Sequence, residues 1–181
     1  MEKVIRRTMA VVATVLVLLI IGVVIEEKSG ILREGDKAPD FKVQLSNGQT
    51  FRLKDMEGKK NVVLFFYPKD FSAGCTAQAC SIRDGFGELA NLDADVFGIS
   101  GDSYISHSLF RKKHNLPFEL IADTDGALRK AFGAERFGGL VNIPKRLTYV
   151  IDRKGVIRLA AHHEFLMGRH LADVLATMKV L

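Results

Sequence analysis

The sequence predicts a three-layer α/β sandwich on a mixed sheet, with an N-terminal β-hairpin and one transmembrane helix ahead of it. Three observations carry this prediction. From Ile31 onward, apolar runs of strand length alternate with stretches of helical period. One of those strands is apolar at every position, and the last two strands are joined by a tight turn. The chain has 181 residues, which suits one ordinary domain.

The elements follow in order. Met9 to Ile25 carries no charge, with Lys3, Arg6 and Arg7 before it and Glu26, Glu27 and Lys28 after it. A helix of that length spans about 25 Å, against a hydrocarbon core of about 30 Å. It reads as an uncleaved signal anchor over residues 9–25. Residues 1–8 are then a basic cytoplasmic segment, residues 26–34 a tether, and residues 35–181 an extracytoplasmic domain. The competing reading is a cleaved signal peptide and secretion, for which Gly22, Ser29 and Gly30 lack the paired spacing.

In the domain, Phe41, Val43 and Leu45 alternate with polar residues, Asn47-Gly48 marks a turn, and Phe51 and Leu53 resume the alternation. Val62 to Tyr67 is the continuous apolar strand, ended by Pro68. A helix is expected from Gly74 to Ala90, with Ala79, Ile82, Phe86 and Leu89 on its apolar stripe. Strands over 96–100 and 118–122 alternate with helices over 103–114 and 127–132. Strands 147–151 and 156–161 flank the turn Asp152-Arg153-Lys154-Gly155, and residues 169–181 close the chain as a helix. Gly138-Gly139 with Pro144 marks the most irregular loop.

Composition excludes several classes. Net charge is +5, of which +2 lies in Glu2, Lys3, Arg6 and Arg7, leaving +3 dispersed over the rest. That is no nucleic-acid surface. Two cysteines make neither a disulfide scaffold nor a four-cysteine zinc site. Adjacent His162 and His163 on a strand face opposite ways, which disfavours a shared metal. Asp123-Thr124-Asp125-Gly126 opens like a calcium loop, but Ala134 stands where the last ligand is needed, so a turn capping a helix fits better.

The segment from Tyr67 to Cys80 leaves the most buried strand and enters a helix, which sets Cys75 at or beside the first helical turn. Unpaired backbone N–H groups and the helix dipole there favour a thiolate. Spacing alone leaves open that both cysteines are small core residues. Four residues separate Cys75 from Cys80, so the pair is not a C-x-x-C redox motif.

The pattern Pro68-x-x-x-Ser72-x-x-Cys75 resembles the peroxiredoxin active-site signature. Tyr67-Pro68-Lys69-Asp70, Gly74-Cys75-Thr76, Gln78-Ala79-Cys80 and Arg83-Asp84 are similar to the bacterioferritin comigratory protein, or Q-type, branch of the thioredoxin-like superfamily. The similarity covers about residues 35–181. One departure is Ala73, which stands where the family usually has Pro.

The resemblance implies a thioredoxin-like fold and a peroxidase that needs no cofactor and no metal. By the same resemblance Cys75 is the peroxidatic cysteine and Cys80 the resolving one, joined to it in an intramolecular disulfide. Ser72 would hydrogen-bond the peroxide, Arg146 would activate the thiol and polarise the substrate, and Pro68 would shield the cysteine. Expected partners are peroxide substrates, a thioredoxin-like dithiol reductant and a membrane through residues 9–25, with no nucleic acid, the chain being a monomer. The alternative is a membrane-tethered redox sensor or metal-delivery protein that uses the same thiols without turnover. Geometry adds one expectation. Two residues five apart on an unbroken helix have Cα atoms about 8–9 Å apart. A disulfide tolerates about 7 Å, so the first turns must unwind on oxidation.

Overall fold

The computed structural model describes residues 30–45, 47–136 and 143–181. The expected anchor over 9–25, residues 26–29 of the tether and Gly138-Gly139 lie outside the described residues. Among the described residues, no helix is long and apolar enough to cross a membrane.

Strand β3 (Asn61–Phe66) is buried at every position. Side chains alternate across a strand. Val62, Leu64 and Phe66 therefore enter one apolar cluster, while Val63, Phe65 and, just past the strand, Tyr67 enter another. Such a strand belongs in the middle of a sheet covered on both faces. Its companions are β4 (Ala94–Ser100), β5 (Glu119–Ala122), β6 (Leu147–Ile151) and β7 (Ile157–His162). The sheet order is β5-β4-β3-β6-β7. β3, β4 and β5 run parallel, whereas β6 is antiparallel to both β3 and β7. The mixed sheet is the expected one.

One face carries the hairpin of β1 (Lys42–Gln44) and β2 (Thr50–Arg52), in register Val43 opposite Phe51. Phe51 packs on Phe97 with ring centroids 4.2 Å apart, fixing the hairpin to β4. The other face carries α1 (Ala73–Asp84), α2 (Phe86–Asn91), α3 (Tyr104–His114) and α5 (Met167–Met178). The short α4 (Ala127–Ala131) lies on the hairpin side, and the Asp123 carboxylate accepts from the Leu128 and Arg129 backbone N–H groups at its start. That is the capping turn expected at Asp123. At the far end of β6, Gly35 N–H donates to the Ile157 carbonyl and Ala38 N–H to the Gly155 carbonyl. The chain thus enters the domain beside the β6–β7 turn.

One expected helix is two. The stretch over 74–90 breaks at Gly85, where a Cβ would stand 2.7 Å from Leu171 Cδ1. The last helix packs on α1 through that missing side chain, and glycine is a poor helix former in any case.

Candidate active site

α1 buries Cys75, Gln78, Ala79 and Ile82, a stripe with the i, i+3, i+4, i+7 spacing of a helix face. Cys75 heads the stripe and is 1% exposed. Ser72 is the N-cap by position, but its side chain makes no cap; its hydroxyl donates to the Lys69 carbonyl at 3.1 Å. The first helical bond runs from Thr76 N–H to Ser72 O. The N–H groups of Ala73, Gly74 and Cys75 precede that bond and have no helical acceptor, which makes this end of α1 an anion-stabilising one. The Ser72 oxygen keeps lone pairs for a hydroperoxide O–H.

Arg146 lies just before β6, and β6 pairs with β3, the strand that leads into the cysteine loop. Its Nη1 and Nη2 each stand 3.6 Å from Cys75 Sγ. Nη1 also donates to Gln78 Oε1 at 2.7 Å, and Nε donates to the Glu164 carbonyl at 3.2 Å. Among the described residues no carboxylate pairs with this guanidinium, so its charge is directed at the sulfur. The Glu164 carboxylate is engaged elsewhere: it accepts from Arg136 at 2.6 Å, from His162 at 2.9 Å and from the Arg146 backbone N–H at 3.4 Å. Burial raises the Glu164 pKa, but the hydrogen bonds from His162 and Arg136 outweigh it and bring the carboxyl down to about 2. Gly74 makes room for the arrangement, since a Cβ there would meet Arg146 Nη2 at 3.3 Å.

The loop between β3 and α1 is tied down beneath the site. The buried Asp70 carboxylate accepts from Tyr67 Oη at 2.7 Å and Ser106 Oγ at 2.6 Å, and pairs with His107 Nδ1 at 2.9 Å. Burial opposes its charge, but the bonds from His107, Ser106 and Tyr67 together hold Asp70 below the usual carboxylate value. The Asp70 backbone N–H donates to Asp102 at 2.8 Å. The next residue, Phe71, holds φ at 59°, a left-handed conformation that costs a bulky residue on the order of 1 kcal/mol. Its ring packs edge-on against Phe110 at 5.2 Å.

Of the expected site residues, Cys75 and Arg146 meet, Ser72 stands three residues before Cys75 with its hydroxyl on the Lys69 carbonyl, and Pro68 is half-buried just past β3. Cys80 does not join them. It is half-buried, and its Sγ stands 4.0 Å from His114 Nδ1 on α3. Both thiols are free and share the unbroken α1. Ideal helix geometry keeps such a pair about 8–9 Å apart, beyond disulfide reach. His162 and His163 diverge, one onto Glu164 and the other onto Asp173. Among the described residues no cluster of three His, Cys, Asp or Glu side chains could hold a metal.

Gln78, Glu164 and the Asp70–His107 pair escaped the sequence reading. Gln78 carried a usable signal: it lies three residues after Cys75, on the same helix face. Glu164 carried none, because it reaches Arg146 only once the end of β7 returns beside the start of β6.

A buried thiol at an uncapped helix N-terminus, beneath a guanidinium with no carboxylate partner among the described residues, defines a cysteine-based oxidoreductase on a thioredoxin-like α/β scaffold. Residues 34–160 match the AhpC/TSA family model. Chloroplastic peroxiredoxin Q of Populus jackii is 40% identical over 152 residues, covering 83% of this chain and 70% of the poplar protein. Peroxiredoxin Bcp of Bacillus subtilis is 39% identical over 149 residues, 80% of this chain and 94% of that one. Among solved structures, peroxidoxin BcpB from Mycobacterium tuberculosis superposes with a TM-score of 0.76 at 33% identity, covering 83% of this chain and 98% of its own. Peroxiredoxin Q of Xanthomonas campestris gives a TM-score of 0.72 at 29% identity, covering 84% and 98%. The chain belongs to the AhpC/TSA family and is a peroxiredoxin, a thiol peroxidase.

Proposed function

We propose that the protein reduces hydrogen peroxide and organic hydroperoxides through Cys75, with Cys80 as resolving cysteine and a thioredoxin-like dithiol as electron donor. The observation that carries this reading is the Arg146 guanidinium, both of whose terminal nitrogens lie 3.6 Å from Cys75 Sγ. The Cys75 thiolate attacks one peroxide oxygen, the O–O bond breaks, and the departing alkoxide or hydroxide takes up a proton. Arg146 and the free N–H groups of α1 stabilise the charge that develops on the oxygens, and Ser72 accepts the hydroperoxide O–H. Cys75 is left as a sulfenic acid.

Cys80 then condenses with the sulfenic acid, forming the S–S bond and releasing water. The helical spacing of the two residues requires the first turns of α1 to open for this step. Each helical hydrogen bond given up costs on the order of 1 kcal/mol. The donor dithiol reduces the disulfide and the helix reforms. By this reading residues 9–25 anchor the enzyme uncleaved, with the domain on the extracytoplasmic side and residues 1–8 in the cytoplasm.

Steady-state peroxide consumption with a thioredoxin and its reductase tests the proposal. Turnover is expected in the native chain and none in Cys75→Ser, because an alcohol is a poor nucleophile at neutral pH. Cys80→Ser should consume about one equivalent of peroxide and stall as sulfenic acid. Normal turnover in Cys80→Ser would remove it from the resolving role, and activity in Cys75→Ser would overturn the assignment altogether.

A further inference from the structure

The resolving thiol has a partner that the peroxide step does not use. Cys80 sits in the middle of α1, and its Sγ faces His114 Nδ1 at 4.0 Å, within hydrogen-bond range for sulfur. His114 occupies the last turn of α3 and is held in place from two sides. Arg83, one turn beyond Cys80, donates from Nη1 to the His114 carbonyl at 2.8 Å. The Phe110 ring lies edge-on to the imidazole at 4.9 Å.

Resting on the reading of Cys80 as the resolving cysteine, we infer that His114 is the base that deprotonates it. The S–H proton passes to Nδ1 of the neutral ring, whose other nitrogen carries its own hydrogen. The Cys80 thiolate attacks the sulfur of the Cys75 sulfenic acid, so the S–S bond forms and the S–O bond breaks. Hydroxide leaves and is protonated to water. The Cys75 sulfur is reduced and the Cys80 sulfur oxidised by one electron each.

The charged groups around the ring suit this role. Burial pushes His114 below the ordinary histidine value, and Lys113 on its own helix and Arg83 on α1 push in the same direction. The ring is therefore neutral near pH 7 and able to accept a proton. Arg83 also bonds Asp84 at 2.8 Å, and its charge is near enough to Cys80 for the two to interact favourably. The arrangement fits the opening of α1 as well. Unwinding residues 73–79 brings Cys75 toward Cys80, while Cys80 stays in the part of the helix that faces α3.

The first test uses the full chain with Cys75→Ser, where Cys80 is the only thiol. Its alkylation by iodoacetamide is followed from pH 6 to pH 9. Adding His114→Gln is expected to move the rate profile to higher pH and slow alkylation at pH 7 at least threefold. In His114→Ala, added imidazole should restore part of the lost rate, an effect that a structural role for the ring would not produce. In the chain with both cysteines, acid quenching and mass spectrometry should show disulfide formation slowed in His114→Gln relative to sulfenic acid formation, most strongly below pH 7. Superimposable alkylation profiles, or a disulfide step with unchanged pH dependence, would overturn the role of His114. Normal turnover in Cys80→Ser is a different failure, that of the resolving role itself.

Discussion

At Arg146 a guanidinium is carried to 6% exposure with no carboxylate to neutralise it among the described residues. A charge so placed is costly unless it faces a developing anion, which in the proposed mechanism is the Cys75 thiolate and the departing peroxide oxygen. Arg146→Ala is therefore expected to slow the peroxide step about 100-fold, the loss typical for one oxyanion donor. Stopped-flow peroxide consumption in single turnover reads it; an unchanged rate constant would make Arg146 a bystander. Behind Arg146 sits a neutral histidine. His170 Nε2–H donates to the His163 carbonyl at 2.9 Å and Nδ1 accepts from Thr148 Oγ1 at 2.8 Å. Burial, with smaller pushes from His163 and Arg146, lowers its pKa from the ordinary 6.5 to about 4. The unfolded chain protonates this residue before the folded one does. Stability is thus complete above pH 6.5 and falls as pH drops toward 4, by at most about 3 kcal/mol. Urea unfolding across that window should show the slope, and His170→Gln should flatten it.

At the level of elements, α1 joins stability to chemistry. Ala73 is its first helical residue, and Ser72 before it has φ −72° and ψ 145°. Proline is favoured at the first helical position, and the residue ahead of a proline adopts this extended conformation. Ala73→Pro is therefore expected to stabilise the domain by about 0.4–1 kcal/mol, a rise of about 1–4 °C in Tm by calorimetry. A lower Tm would mean that the helix start is not proline-compatible. Amide exchange over residues 74–84 should accelerate when the cysteines are oxidised, because the proposed Cys75–Cys80 disulfide needs the first turns open. The elements most legible in the sequence were those with a local signal. The unbroken apolar run of β3, the Asn47-Gly48 hairpin and the Asp152–Gly155 turn were each readable from neighbours alone. The break at Gly85 was not, because a single glycine inside a helical pattern is often tolerated, and the Leu171 that fills the space of its missing side chain lies far along the chain.

Across the whole molecule the same divide separates what was legible from what was not. The nucleophile motif is contiguous, and Cys75, Ser72 and Pro68 fall within eight residues of one another. The residues that hold the site in shape are distant pairs: Asp70 with His107, Arg146 with Glu164, Cys80 with His114. A polar side chain on an apolar helix stripe, as His107 is in α3, is the only trace such pairs leave in sequence. The fold also separates two ends of the domain. Cys75 and Arg146 lie where β3 ends and β6 begins, whereas the chain enters beside Gly155 and Ile157, where β6 ends and β7 begins. Residues 146 and 152 of an extended strand are about 20 Å apart. Under the proposed anchoring, residues 9–25 are therefore expected to set location and to leave the peroxide chemistry unchanged. A chain beginning at residue 30 should keep kcat/KM for hydrogen peroxide within about twofold of the full-length protein, and a tenfold loss would tie the segment to the site. The full-length protein should stay with membranes through an alkaline wash and expose its domain to protease added on the extracytoplasmic side. Recovery of a soluble domain with a new N-terminus just after residue 22 would establish a cleaved signal peptide in place of an anchor.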